Sequence, residues 1–545
     1  MKLHGATYKQ GHTCILGKKM LNTPTAMRGM ITAPHHLAAE AGHRVLRDGG
    51  NAVEAMVAAA STIAVVYPHM NAVGGDGFWL IAEPGKSPIG IDAGGWSAGL
   101  ATPEYYAAQG LDTIPSRGPG AALTVGGTIS GWAQALAVGG GKLPLERLLE
   151  DAIHHAKNGV AVTQGQEDLS LEKLPELKDV PGFADVYLPG GKPPRRIDIM
   201  TFPALGATLA RLAKSGLGDF YTGETARANA AYLESVGSPL RFEDFEGYAA
   251  KTVTPFQVSL KSGTVYNMPP PTQGVSSLMI LALFDRLGIA EAEDFAHLHG
   301  LVEATKQAFL LRNAHLTDHA FMTVDPQSWL EESFLDDLAR NIDMQKALEW
   351  PQPTKPGDTI WMGAIDGEGR AVSFIQSIYW EFGSGVTPPE TGVLFQNRGH
   401  GFTLDTAHPN VLAPRKRPFH TLNPAMARLN DGRLLTYGTM GGEGQPQTQA
   451  AVYSRYVMFD EPLQHAVTAP RWLLGRTWGE DSTSLKMESR FDPETVSQLR
   501  AAGHNVDVVE PFTSIMGHAG AVCRHPDGLL EGASDPRSDG SVCGF

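Results

Sequence analysis

Cysteine is scarce in this 545-residue chain: Cys14, Cys523 and Cys543 are the whole set. They show neither the even, clustered pattern of a disulfide framework nor CxxC spacing. Cys523 and Cys543 lie close enough along the chain to pair, but free thiols are the expectation. Positive charge is in deficit, with 44 Lys and Arg against 58 Asp and Glu and a net charge of −14. No basic block tracks a phosphate backbone, so a nucleic-acid partner is not expected. The longest apolar run, Ala55 to Tyr67 between Glu54 and Pro68, is too short to cross a bilayer, so no membrane association is expected. The first twenty residues hold no apolar core followed by a small-residue cleavage site, and a cytoplasmic location is the expectation. GxSxG, HExxH, GxxxxGK[ST] and a strand-placed GxGxxG with an acidic partner are all missing. The adjacent pairs His35-His36 and His154-His155 send their side chains in different directions, so no metal site and no cofactor is expected.

Glycine and proline, by contrast, are plentiful, at 62 and 37 residues, which in an otherwise ordinary composition signals many tight turns. Gly49-Gly50 followed by Asn51 reads as a turn and an N-cap for an Ala-rich helix that ends before Pro68. FWLIAE and PIGIDA flank Pro84-Gly85 as a hairpin. Helical spacing dominates from Leu143 to Lys157, from Phe202 to Leu233 and from Leu287 to Asn313. The segment Trp350 to Thr359, with three prolines, breaks this pattern. Beyond it lie two hairpins, one around Asp366-Gly367-Glu368-Gly369 and one around Asn430-Asp431-Gly432, which imply stacked sheets with helices outside.

Thr359 stands where the proline-rich break runs into the first of these strands. A threonine hydroxyl is a weak nucleophile unless a base lies within reach, and a free α-amine, with a pKa near 8, suits that task. Cutting the Asp358–Thr359 bond would place both groups on one residue. Taken alone, Gly357-Asp358-Thr359 reads by default as an Asx-type turn.

The chain resembles the γ-glutamyltransferase family in seven segments that occur in the family's order. They are RGMITAPHHLAAEAGHRVLRDGGNAVEAMVAAASTIAVVYPHMNAVGGDGFWLI, DFYTGETA, MPPPTQG, GDTIWMGAIDGEGRAVSFIQS, APRKRPFHTLNPAM, GTMGGEGQPQTQ and DPRSDG. The resemblance implies the four-layer αββα sandwich of N-terminal nucleophile hydrolases, an α+β fold. It also implies autocleavage into a large chain, 1–358, and a small chain, 359–545, that stay together as one composite domain. A homodimer of such heterodimers is an expectation for the assembly. By the same resemblance Thr359 is the nucleophile, Gly441 and Gly442 form the oxyanion hole, and Ser377 is the second hydroxyl beside the nucleophile. Glycine suits an oxyanion hole because the backbone must approach the tetrahedral intermediate closely.

The departures from the family pattern fall on substrate recognition. The Asp-x-Arg-Glu stretch that holds a donor's α-carboxylate reads Asp92-Ala93-Gly94-Gly95, with Gly94 at the arginine. The stretch that supplies an aspartate for the α-amine reads Gln396-Asn397-Arg398-Gly399-His400-Gly401, with Gly401 at that aspartate and Arg398 nearby. His420 and Thr421 replace two serines, and Tyr379 replaces an asparagine. Recognition of an amino acid zwitterion is thereby lost, and a plain anionic acyl group is expected, with Arg398 as a carboxylate clamp and His420 as a second donor. The chain from Phe402 to Arg415 is short for a lid, which favours water over an acceptor amine. The expected substrate is a small anionic amide, best exemplified by oxamate, which gives oxalate and ammonia. γ-Glutamyl hydrolysis or transfer, a glutaryl-type acylase, and an uncleaved binding protein are the competing readings.

Overall fold

The structure, a computed structural model, describes residues 21–350, 358–475 and 482–545, with Asp358 described by its backbone alone. Cys14 and most of the proline-rich segment lie outside the described residues.

Among the described residues two seven-stranded antiparallel sheets face one another. One runs, edge to edge, through Ser541–Gly544, Gly29–Ala33, Asp358–Asp366, Ala371–Tyr379, Asp76–Ala82, Ile89–Ala93 and Lys251–Val253. The other runs through Thr25–Ala26, Leu530–Ser534, Ala519–Arg524, Leu434–Thr439, Ala425–Leu429, Gly263–Asn267 and Phe256–Leu260. The two hairpins expected from the sequence therefore lie in different sheets: Gly363 pairs with Ser373 in the first, and Ala427 with Leu435 in the second.

Three separate apolar clusters show the layering. Met30, Phe78, Leu80, Trp361, Ile375, Met426 and Val522 pack between the sheets. On the outer face of the first sheet Ile31, Trp79 and Phe374 pack against helices His36–Arg47, Ala52–Val66 and Thr128–Gly139. On the outer face of the second, Val265, Ala427 and Tyr437 meet Gly274–Leu287, Phe295–His315 and Gln445–Tyr453. The result is the expected αββα sandwich. Both faces of each sheet are covered, which is why all nine residues of Ala371–Tyr379 are buried and its sequence is nearly continuous in apolar character. Trp361 fills the inter-sheet space against backbone: a Cβ added at Gly438 would come within 2.3 Å of its ring.

Local sequence explains the element ends. Asn51 caps Ala52–Val66 by accepting from Val53 and Glu54, while Glu54 accepts from the Asn51 amide at 2.8 Å, a reciprocal capping box. The periodic stretch Leu143 to Lys157 resolves into Leu145–Leu148 and Glu150–Asn158, and Phe202 to Leu233 into three helices. The helix expected from Leu287 begins only at Phe295. Gly288, at φ +65°, terminates the preceding helix, and Asp294 caps the next by accepting from His297. That preceding helix, Gly274–Leu287, is buried along most of its length and so carries little of the periodicity that marks a half-exposed helix.

Cys523 and Cys543 are both free thiols, placed in different sheets. Among the described residues no helix is long and apolar enough to cross a membrane.

Candidate active site

Strand Asp358–Asp366 begins one residue before Thr359, and its register with Ala371–Tyr379 shifts between Asp358 and Ile360. Thr359 thus sits at a bulge, a feature that re-aims a side chain at a sheet's end. It is fully buried. Its hydroxyl is 3.4 Å from Ser377 Oγ and receives Gln445 Nε2 at 3.4 Å. Ser377 Oγ in turn accepts the Tyr379 amide at 2.8 Å. Tyr379 holds a left-handed backbone, φ +81°, that few non-glycine residues adopt. Its ring lies 3.9 Å below the Arg398 guanidinium carbon.

The contacts close into a ring. Arg398 Nη1 donates to Thr421 Oγ1 at 3.3 Å. Gln273 Nε2 donates to both the Thr421 carbonyl, at 2.8 Å, and the Gly442 carbonyl, at 2.9 Å. From Gly442 the backbone climbs through one 3-10 turn into helix Gln445–Tyr453, whose first residue returns to Thr359. Gly441 and Gly442 have φ of +119° and +52°; the first is open in practice only to glycine, and the second favours it. Their amides stand at the N-terminal end of that helix, where partial positive charge favours an anion. Arg312 fixes the turn from behind, donating to Gln273 Oε1 at 2.8 Å and to Glu443 at 2.5 Å. The structure therefore brings Thr359, Ser377, Tyr379, Arg398, Thr421, Gly441 and Gly442 into one site.

His420 belongs to it through Asp76. Its Nε2 lies 3.0 Å from Asp76 Oδ2, and its Nδ1 accepts the Leu422 amide at 3.4 Å. That acceptor role assigns the proton to Nε2, so both ring nitrogens are engaged within the chain, leaving no N–H for the second substrate bond expected from the sequence. Burial and the nearby Arg398 and Arg417 hold the imidazole neutral, well below its usual range. Asp76 Oδ1 accepts from the Gly95 amide (2.8 Å), the Gly127 amide (3.2 Å) and Gln396 Nε2 (2.9 Å). Burial raises its pKa to about 6, against these hydrogen bonds and the charge of Arg398.

Arg398 is fully buried, and burial lowers its pKa to about 10, which still leaves it cationic at neutral pH. Its Nε and Nη2 have no hydrogen-bond partner among the described residues. At the position of the missing family arginine, a Cβ on Gly94 would come within 3.0 Å of the Phe78 ring, so that space is filled. Asp92 is instead tied to Arg417, which also grips Asp318.

Asp76 and Gln445 were not singled out by sequence. Both lie inside the segments that carry the family resemblance. An aspartate opening the apolar strand DGFWLIA was the available signal for the first. Two groups with metal-ligand spacing, His299/Glu303/His504 and Cys523/His525/Glu531, also arise only in the fold. In the first, the two imidazoles bond each other at 2.9 Å and Lys306 Nζ already sits 2.7 Å from Glu303. In the second, burial pushes the Cys523 thiol up to about 12, away from the thiolate a metal needs. Both fit internal hydrogen-bond networks.

The profile of the gamma-glutamyltranspeptidase family matches residues 38–545. The chain is 52% identical over 530 residues to the oxamate amidohydrolase proenzyme of Klebsiella pneumoniae, covering 96% of this chain and 100% of that protein. It is 38% identical to the glutathione hydrolase-like YwrD proenzyme of Bacillus subtilis, over 95% of this chain and 98% of that one. The crystal structure of a cephalosporin acylase from Bacillus halodurans superposes with a TM-score of 0.90 at 31% identity, covering 100% of this chain and 99% of that chain. With its fold and a buried Thr359 site in place, the chain belongs to the gamma-glutamyltranspeptidase family and is an amide-bond hydrolase of the N-terminal nucleophile type.

Proposed function

We propose that the protein cleaves itself between Asp358 and Thr359 and then hydrolyses amides of small carboxylate-bearing acyl groups, with oxamate, giving oxalate and ammonia, as the preferred substrate. The Thr359 hydroxyl attacks the amide carbon while its freed α-amine takes the hydroxyl proton. The oxyanion is met by the Gly441 and Gly442 amides. Ser377 and Gln445 hold the hydroxyl in line. The ammonium returns its proton to the leaving amine, and water, deprotonated by the same base, releases the acid and restores Thr359.

One observation carries the substrate assignment: Arg398 is a buried cation with two donors unspent, stacked on the ring of the residue that bonds Ser377. Burying a guanidinium without saturating its donors is costly. A substrate carboxylate would complete it, and the fork geometry suits two oxygens side by side. The 52% identity to an oxamate amidohydrolase proenzyme supports the same choice.

The test is a panel of ω-carboxy amides of increasing carbon number, with neutral amides as controls, assayed with wild type and Arg398→Ala. The variant should lose about 2–4 kcal/mol of transition-state stabilisation for carboxylate amides alone. Equal loss for neutral amides, or faster release from a γ-glutamyl anilide than from oxamate, would refute the assignment.

A further inference from the structure

Arg398 poses an electrostatic problem that its own contacts do not solve. Within the described residues it makes one hydrogen bond, to the neutral Thr421 hydroxyl, and no direct ion pair. The anion that faces it is Asp76. Asp76 approaches the guanidinium from both of its supporting segments: through Gln396, two residues before Arg398, and through His420, next to Thr421. It also pairs in register with Ser377, which touches Thr359, so its side chain lies on the same face of the sheet.

Asp76 is nevertheless held back. Its two oxygens take four hydrogen bonds from Gly95, Gly127, Gln396 and His420. The carboxylate cannot swing across to close a salt bridge without surrendering them. Arg398 therefore stays charge-compensated at a distance while its donors remain open to a ligand.

We infer that Asp76 is a specificity-setting positioning residue: a restrained counter-ion that helps keep Arg398 charged and weakens its grip on bound carboxylates so that acid product leaves. This inference rests on the reading of Arg398 as the carboxylate-binding group. Hydrolysis turns a monoanionic amide such as oxamate into a dianion, so the repulsion grows at the step where release is required. The other ionisable groups that bear on Asp76 are His420, held neutral, Asp92, already tied to Arg417, and Tyr221 and Tyr248, both kept protonated by burial. None of these changes charge near neutral pH, and the freed Thr359 α-amine, with an ordinary pKa near 8, is already protonated below about 7, so a change through about 6 reports Asp76.

The experiment is calorimetric binding of oxalate, malonate and glutarate to the mature enzyme, to Asp76→Asn and to Arg398→Ala. Asp76→Asn should bind the dicarboxylates about ten- to a hundredfold more tightly, the size of one charge acting across roughly 6–12 Å at an effective dielectric of about 20. Its turnover should fall, because release slows, with KM falling in parallel. Arg398→Ala should bind them more weakly than wild type. Mere structural damage would weaken binding, so equal or weaker binding by folded Asp76→Asn overturns the inference. Wild type provides an independent check, since oxalate keeps both charges across the range: its affinity should rise as pH falls through about 6, where Asp76 loses its charge. A flat profile overturns the inference even if Asp76→Asn does not fold. Failure of wild type to bind any of the three acids would instead sink the carboxylate-pocket reading on which it rests.

Discussion

Two buried arginines, Arg537 and Arg398, mark two regions built from similar parts for opposite ends. Arg537 bonds Glu488 through Nε and Nη2 and Asp535 through Nη1, at 2.8 to 3.0 Å, and adds the Ala469 carbonyl. Every nitrogen is spent, and the cluster joins the strands Leu485–Glu488 and Leu530–Ser534. Arg398 is equally buried but keeps two nitrogens unspent and meets its anion only at a distance. A saturated buried cation is architecture; an unsaturated one beside a nucleophile is a place for a ligand.

Acid should strain both regions and gives the largest effect. His518 lies with the first cluster and His420 with the second; burial pushes His518 down to about 4 and His420 well below its usual range. An imidazole depressed in the folded state protonates first in the unfolded chain. Its stabilising contribution is complete above about 6.5 and is lost as pH falls from there toward the folded value, at up to about 1.4 kcal/mol per pH unit for each histidine. Denaturant titrations from pH 8 to 4 should show this decline, and His518→Gln should flatten it. A profile level down to pH 5 would contradict the assigned neutrality.

Mutation should then separate the regions. Arg537→Ala strips buried Glu488 and Asp535 of one of the two arginines each holds, leaving them Arg490 and Arg471, and should destabilise the fold by about 1–3 kcal/mol, measured by thermal melting. Arg398→Ala removes a cation with no direct anionic partner. It should change folding stability by less than about 1 kcal/mol while removing the 2–4 kcal/mol of discrimination for carboxylate amides. Equal destabilisation by the two variants would erase the distinction. The smallest effect is expected at Gln445→Ala: the loss of one 3.4 Å bond to the nucleophile should lower kcat/KM by about tenfold or less and leave KM nearly unchanged.

Much of this was legible in the chain because local and global signals agree there. Asn51 with Glu54 announces its helix, and the turns at Asp366-Gly367 and Asn430-Asp431-Gly432 announce strands that the fold keeps. Thr359, Ser377, Gly441 and Gly442 were readable through segments that resemble a family, even though 86 residues separate Thr359 from Gln445. What stayed hidden depends on long-range meeting. The partnership of Asp76 with His420 spans 344 residues, and no spacing rule reports it. Helix Gly274–Leu287 carries little periodicity in the sequence because it is buried all round from Gly274 to Phe284. His420 stands at the site that its sequence position implies, but Leu422 and Asp76 together set the direction of its hydrogen bonds, and its one N–H points to Asp76.

The most direct test of the whole account is intact mass, with N-terminal sequencing, of catalytically active protein. Two polypeptides, the smaller beginning at Thr359, are required, since only a freed α-amine supplies the base. Full amidase activity in a polypeptide still continuous from Asp358 to Thr359 would contradict the mechanism.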